Sequence, residues 1–213
     1  ANTELSAGGN GLLNFSDAVP FAIPKNGLEA VWNHIARFRG GSVEVNTAQI
    51  AIEANGSFTP VKIRGQLTSP NYLVDPYSEE KDNNILFYYT QYVKAPARFT
   101  GNIFLVQETI DQVKQARKAW VYNAGQRRVR RAPQIAYDAP TSTGSGMRTS
   151  DQVDMYNGAP NKYNWKLMGK QELYIPYNAY KMVDANVPYA DIVKTNHINS
   201  DYARYELHRV WKV

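Results

Sequence analysis

Few residues in this chain have the type and spacing to do chemistry. Asp151 and Asp154 stand three apart behind Thr149, so a helix starting there would put both carboxylates on one face, within reach of acid–base work or a cation. Acids in a first helical turn are also favoured by the helix dipole, which is the stronger reading; a salt link to Arg148 or to the basic strand below is a third. His34, His197 and His208 are the only histidines. None has a second ligand at metal spacing, so each reads as structural or exposed, with His34 in a buried hydrogen-bonding role near Trp32. The absence of cysteine excludes disulfides, zinc–thiolate sites, iron–sulfur clusters and thiol nucleophiles together. No phosphate-binding glycine loop, dinucleotide fingerprint, G-x-S-x-G elbow or H-E-x-x-H helix occurs. The residues therefore assign no catalytic side chain, no metal ligand and no cofactor.

Charge has an address. The net charge is +5, yet seven bases (Lys114, Arg117, Lys118, Arg127, Arg128, Arg130 and Arg131) fall between Gln112 and Ala132 with no acid among them. Elsewhere 17 bases face 19 acids. Alternation along a strand puts Arg128 and Arg130 on one face and Arg127 and Arg131 on the other, so both faces meet water or an anion such as a lipid headgroup. A solvated, charge-blunted sheet edge is the competing reading. The 15 tyrosines beside these bases also suggest a stacking surface for nucleic acid. They are dispersed over all strands and no nucleic-acid motif accompanies them, so nucleic acid is not expected as a partner.

The elements that would position these groups are mostly strands. Residues 1–26 are rich in Gly, Asn and Pro and read as an extended arm packed on something else. Asn26 is a ready N-cap, and Leu28, Val31, Trp32, Ile35 and Phe38 recur at helical spacing before Gly40 and Gly41, predicting a helix over 27–39. From residue 42 onward the period shifts toward two. Val43 to Glu53 and Ser57 to Leu67 flank Asn55-Gly56, the pair suited to a two-residue hairpin turn. Further strands are expected at Asn84 to Lys94, Arg98 to Thr109, Lys118 to Ala124, Arg127 to Ala132, Tyr163 to Ile175 and Ala203 to Val213. Ser69 to Asn83, with Pro70 and Pro76, and Pro140 to Gly146 read as loops. Thr149 and Gln152 have capping-box spacing for a short helix through Tyr156, and Tyr189 to Thr195 suggests a helical turn. The predicted fold is mainly β (α+β), a single domain of 213 residues, with no apolar run long enough to span a membrane as a helix. The last strand stops mid-pattern, which suggests further strands in a longer protein.

Several strands are apolar on both sides. Ile85, Phe87 and Tyr89 alternate with Leu86, Tyr88 and Tyr92, and Phe99, Ile103 and Leu105 share a strand with Phe104 and Val106. Both faces of such a sheet must be covered, by the chain itself or, on one side, by a ligand. Phe87, Tyr89, Phe99, Ile103, Leu105, Trp120 and Tyr122 are the candidate ligand-binding wall, with Arg127, Arg128, Arg130 and Arg131 as anion or headgroup contacts.

Four segments carry a family resemblance: PFAIPKNGLEAVWNHIARFRG (20–40), ARFTGNIFLVQETID (97–111), KAWVYNAGQRRVRRAPQIAYDAP (118–140) and DQVDMYNGAPNKYNWKLMGKQELYIPYN (151–178). Together they resemble domain-of-unknown-function family 1329 over essentially the whole chain. Trp120-Val121-Tyr122, then Arg127 to Arg131 and Met147 to Asp151, are similar to a pattern in Lol-type lipoprotein carriers. The resemblance implies a strongly curved, open antiparallel sheet, a half-barrel wrapped around one or two short helices and a hydrophobic cavity. It implies proteins of the Gram-negative envelope, periplasmic or on the periplasmic face of the outer membrane, made with a signal peptide and longer than this chain at both ends. It brings no catalytic residues. A lipid or other hydrophobic small molecule is then the expected ligand, with the outer-membrane surface or subunits of an envelope transporter as further partners.

Overall fold

Asn26 begins the longest helix among the described residues. Its Oδ1 accepts from the Glu29 amide at 2.9 Å, and Glu29 Oε2 accepts from the Lys25 amide at 2.6 Å, so amides that a helix start leaves unpaired find partners. This helix, α1, spans Gly27–Ile35 and buries Val31, Trp32 and Ile35. It ends short of residue 39 because the chain turns at Ala36 and Phe38 leaves the helical face, meeting the Tyr72 ring edge-on at 5.1 Å. The N-terminal arm packs on α1. Trp32 Nε1 donates to the Gly9 carbonyl at 2.9 Å, Leu12 joins the core cluster, and Leu5, Phe15 and Phe21 border it. The computed structural model describes residues 3–15, 18–73, 84–132, 137–141 and 146–213. Residues 74–83, with Pro76, and 142–145 of the expected loops lie outside the described residues.

Six strands follow: β1 (Ser42–Gln49), β2 (Val61–Thr68), β3 (Ile85–Ala95), β4 (Ile103–Thr109), β5 (Lys118–Asn123) and β6 (Arg128–Arg131). Each pairs antiparallel with the next, so among the described residues the sheet is an open meander with β1 and β6 as its edges. The fold is mainly β (α+β) with an open, curved antiparallel sheet and few short helices, as the sequence predicts. Register shifts at Lys62/Ile63 and at Ile85/Phe87 mark β-bulges, which bend the strands that carry them. The first hairpin is shorter than expected. Continuous pairing stops at Gln49 and Val61, and an isolated bridge joins Ile52 to Phe58. Its turn is Ala54-Asn55-Gly56: the Glu53 carbonyl accepts from the Gly56 amide at 2.8 Å and Gly56 takes φ +84°. Glycine thus supplies the left-handed residue of a three-residue loop, not half of a two-residue turn. Strand β4 starts at Ile103 instead of Arg98 because Ala97–Phe99 form a 3-10 turn after Pro96.

A one-to-one register sorts the sheet into two faces, since directly paired residues point the same way. The inner face carries Val61 and Ile63 on β2, Gln91 and Val93 on β3, Val106 and Glu108 on β4 and Ala119 on β5, all buried. Helix α1 and the arm close one end of it through Leu86, Phe87 and Ile110; Val61, Ile63 and Val93 form a second cluster. The buried acid on this face is answered: Arg117 Nε lies 3.2 Å from Glu108 Oε1, with side-chain exposures of 4% and 1%.

A separate hairpin pairs β7 (Gly169–Pro176) with β8 (Tyr205–Lys212) over eight residue pairs. Strand β7 starts six residues later than the expected Tyr163. Pro160–Lys162 form a 3-10 turn, and Tyr156, Tyr163 and Trp165 lock edge-to-face with centroids 4.9 to 6.0 Å apart. Between β7 and β8 lie two one-turn helices, α2 (Tyr180–Val183) and α3 (Tyr189–Ile192), the latter at the turn expected from Tyr189.

Candidate functional site

The outer face of the meander is assembled from three strand-to-strand rows. Asn46, Arg64, Tyr92, Ile103, Tyr122 and Val129 form one, and Glu44, Gln66, Thr90, Leu105, Trp120 and Arg131 the next. Ser42, Thr68, Tyr88, Gln107 and Lys118 form the third. Read across the strands, each of the first two rows changes character: polar on β1 and β2, apolar and aromatic on β4 and β5. The middle residues are half-buried by their neighbours, while Tyr92 is 39% and Val129 64% exposed. A hollow of about 230 Å³ lies within this face, lined by Arg64, Gln66, Thr90, Tyr92 and Ile103. A larger hollow of about 440 Å³, between β7 and β8 in sequence, is lined by Lys181, Lys194, Asp184, Asp191 and Asp201 among others. Its charges of both signs, in part held by internal hydrogen bonds such as Asn186 to Asp184, do not suit an apolar ligand.

The structure divides the seven expected wall residues. Ile103, Leu105, Trp120 and Tyr122 meet on the outer face as the direct pairs Ile103–Tyr122 and Leu105–Trp120. Phe87 and Tyr89 point inward: Phe87 borders the α1 cluster, and Tyr89 lies beside Gly65, whose missing Cβ leaves room for its ring. Phe99 sits in the β3–β4 turn, its ring 4.7 Å from the Arg98 guanidinium. Tyr92 and Thr90 belong to the site although the sequence did not single them out as wall. The alternation of β3 with β4 would have placed them there had the β3–β4 register been known.

The arginines are divided as well. Arg131 pairs with Trp120 and shares the outer face; Arg128 and Arg130 take the inner side of the β6 edge; Arg127, with φ +51°, lies in the turn before it. All four are exposed, and among the described residues none forms an ion pair. At the opposite side Arg64 is engaged: its Nη2 donates to Glu44 Oε2 at 2.6 Å, and Gln66 Nε2 donates to the same oxygen at 3.2 Å. These hydrogen bonds, Arg64 first, hold the Glu44 carboxyl below its ordinary pKa.

The two aspartates do not work together. Ser150–Gln152 make only a 3-10 turn, with Gln152 Oε1 accepting from the Thr149 amide at 3.1 Å; the expected helix through Tyr156 is absent because Asp154 and Met155 turn left-handed, at φ +57° and +67°. Asp151 is buried against Lys162 Nζ at 2.7 Å and Thr149 Oγ1. Desolvation opposes its ionisation, but these hydrogen bonds outweigh it and keep its pKa low. Asp154 accepts from Arg37 and Arg39, with Arg39 Nη2 at 2.8 Å, so its salt link is to the residues just after α1. His34 Nε2 lies 2.7 Å from the Asp154 carbonyl oxygen, and burial followed by the Arg37 charge lowers its pKa. His208 lies 3.1 Å from Glu206, and His197 is exposed. Among the described residues no three His, Asp or Glu side chains converge, and no helix is long and apolar enough to cross a membrane.

A family model described as "Protein of unknown function (DUF1329)" matches residues 1–213. The uncharacterized protein PA3922 of Pseudomonas aeruginosa is 56% identical over 211 residues, which cover 99% of this chain and 46% of that protein. The chain thus spans about half the length of this curated relative. A crystal structure of a DUF1329 family protein from Desulfovibrio piger aligns at 20% identity and a TM-score of 0.42, covering 62% of this chain and 49% of that one.

Proposed function

We propose that this chain, which belongs to the DUF1329 family, has a non-catalytic role: it binds a lipid or other hydrophobic molecule, as a carrier in the Gram-negative envelope. The observation that supports this is the apolar stripe of Tyr92, Ile103, Leu105, Trp120 and Tyr122 on the face turned away from α1 and the buried core. Removing a sixteen-carbon chain from water is worth roughly 13 kcal/mol gross at about 0.8 kcal/mol per methylene, before the costs of association. A base near an anionic surface adds only about 1 kcal/mol. Affinity therefore resides in the stripe and orientation in the charges. The envelope setting, periplasm or the periplasmic face of the outer membrane, and the likeness to lipoprotein carriers rest on the sequence resemblance.

Native mass spectrometry and organic extraction of the purified protein, with displacement of a neutral hydrophobic fluorophore, test the reading. Bound lipid or displacement that weakens at least tenfold in Leu105→Asp is the expected result. Protein that carries no lipid and never binds the fluorophore would end it.

A second reading, a scaffold subunit that binds other proteins by strand addition, is favoured by the β7–β8 hairpin. Tyr174, Tyr205 and Leu207 are 54 to 71% exposed on one of its sides, and among the described residues each strand has only one partner. Capture of an envelope transporter subunit that Leu207→Lys abolishes, by protein free of lipid, would favour it over the carrier.

A further inference from the structure

Charge on the outer face is not symmetric about the apolar stripe. On the β1–β2 side stands the one acid of the outer strand positions, Glu44, paired with Arg64 at 2.6 Å; Lys94, whose Nζ donates to Asn46 Oδ1 at 3.2 Å, and Lys62, two residues from Arg64, lie on the same face. On the β5–β6 side Arg131 stands directly across from Trp120, and Lys118 lies two residues from Trp120 on the same face. Arg131 forms no ion pair among the described residues. The outer positions of β3 to β6 are Tyr88, Thr90, Tyr92 and Lys94, then Ile103, Leu105 and Gln107, then Lys118, Trp120 and Tyr122, then Val129 and Arg131. None is acidic. A hydrocarbon lying over Tyr92, Ile103, Leu105, Trp120 and Tyr122 therefore has bases together with the acid Glu44 at one end and bases alone at the other.

Dimensions restrict the shape. From the β2 column to the β6 column is four inter-strand steps, roughly 19 Å at about 4.8 Å each. The row through Ile103 and the row through Leu105 are two residues apart along each strand, about 7 Å, which leaves one lane between them. Such a lane runs across the strands and accepts one extended chain.

We infer that the ligand is a single-chain amphiphile with an anionic head, its tail laid across β3 to β5 and its carboxylate or phosphate held by Arg131 and Lys118 at the β5–β6 edge. This rests on the hydrophobic-ligand reading and gives it a chemical class and a direction. A guanidinium presents paired N–H donors to either head, and an anion there meets no like charge from its own face. The remaining arginines of the edge, Arg128 and Arg130, face the other side and take no part.

The test is competition against N-phenyl-1-naphthylamine, a neutral fluorophore, by four twelve-carbon compounds below their aggregation limits: dodecanoate, dodecyl phosphate, dodecanol and dodecylamine. Both anions should displace the probe at least tenfold more effectively than the alcohol, and the amine less effectively than the alcohol. In the double variant Arg131→Gln/Lys118→Gln the anions should fall to the level of the alcohol, whose own displacement stays unchanged; Arg128→Gln/Arg130→Gln should behave as the unaltered protein. Dodecanoate and dodecyl phosphate separate a carboxylate from a phosphate head. Equal displacement by anion and alcohol overturns head selection and leaves the hydrophobic site intact. An anion preference that survives the double variant, or binding to anionic vesicles without displacement by any monomeric amphiphile, also overturns it. Failure of the probe to bind at all removes the underlying reading instead.

Discussion

Replacing Arg117 by Met tests whether the inner face is held as described. The side chains of Arg117 and Glu108 are 4% and 1% exposed, Gln112 Nε2 donates to Glu108 Oε1 at 2.8 Å, and Arg117 Nη2 donates to the Asn157 carbonyl at 2.6 Å. Burial pushes the Glu108 pKa up, and the Arg117 charge is the main force opposing it. Without the guanidinium the carboxyl takes a proton, because unpaired buried glutamates have pKa values of about 8 to 9. Holding that proton at pH 7 against an unfolded pKa near 4.3 costs about 3.7 kcal/mol at about 1.36 kcal/mol per unit. This agrees with the roughly 3–5 kcal/mol lost when a buried pair is broken from one side. Between about pH 4.3 and the folded pKa the native variant binds a proton that its unfolded chain does not, so its stability falls as pH rises, by up to about 1.4 kcal/mol per unit. The protein with Arg117 in place changes in the same direction but less. Urea unfolding at pH 5, 6, 7 and 8 should therefore show the gap between the two widening with pH. Glu108→Leu/Arg117→Met should recover most of the loss, since an apolar pair of similar volume needs no desolvation of charge. A cost below about 1 kcal/mol at pH 7 with a flat pH profile, or a double variant as unstable as the single one, would refute the buried-pair argument.

Asp154→Asn removes charge while keeping a residue type that tolerates the left-handed backbone there. With the carboxylate 40% exposed and screened, the expected loss is about 1 kcal/mol at neutral pH. Desolvation opposes Asp154 ionisation, but Arg37 and Arg39 lower its pKa overall, so the stabilisation is complete above the unfolded value and fades as pH falls through the folded one. Chemical unfolding curves of this variant and of the unaltered protein should converge below about pH 4; a gap undiminished at pH 3 would contradict the ion pairs. Gly27→Ala improves helix propensity by about 1 kcal/mol, yet its Cβ would lie 2.5 Å from the Trp165 carbonyl carbon and 2.7 Å from the Lys166 amide nitrogen, backbone that cannot rotate away. A net loss of about 2 kcal/mol, read as a drop of about 4 to 8 °C in thermal midpoint, is expected; an unchanged midpoint would show that residues 165–166 do not seat on α1.

What could be read without coordinates was whatever depends on near neighbours in the chain. The Asn26 cap, the Val31/Trp32/Ile35 stripe, the strand–turn–strand rhythm from Ser42 to Arg131 and the basic stretch are all local, fixed by capping, periodicity and turn residues. The family likeness was legible for the same reason, being carried by contiguous segments. Local signals failed where distant partners intervened. The short helix after Thr149 is cut off because Asp154 turns out to meet Arg37 and Arg39, more than a hundred residues earlier, and β7 starts late because Tyr156, Tyr163 and Trp165 pack edge-to-face on one another. The wall candidates were divided for the same reason. Alternation says that Phe87 and Ile103 have neighbours on two sides but does not say which side is the core. That choice is made by the bulge at Ile85/Phe87 and by α1 and the arm closing over Phe87, which leave Ile103, Leu105, Trp120 and Tyr122 outside. Composition alone announced that apolar surface and positive charge were both plentiful. Only the pairing of Trp120 with Arg131, and of Glu44 with Arg64 across the sheet, decided that bases without an acid border the apolar stripe at the β5–β6 edge, because register is set by long-range hydrogen bonds that no window of sequence contains.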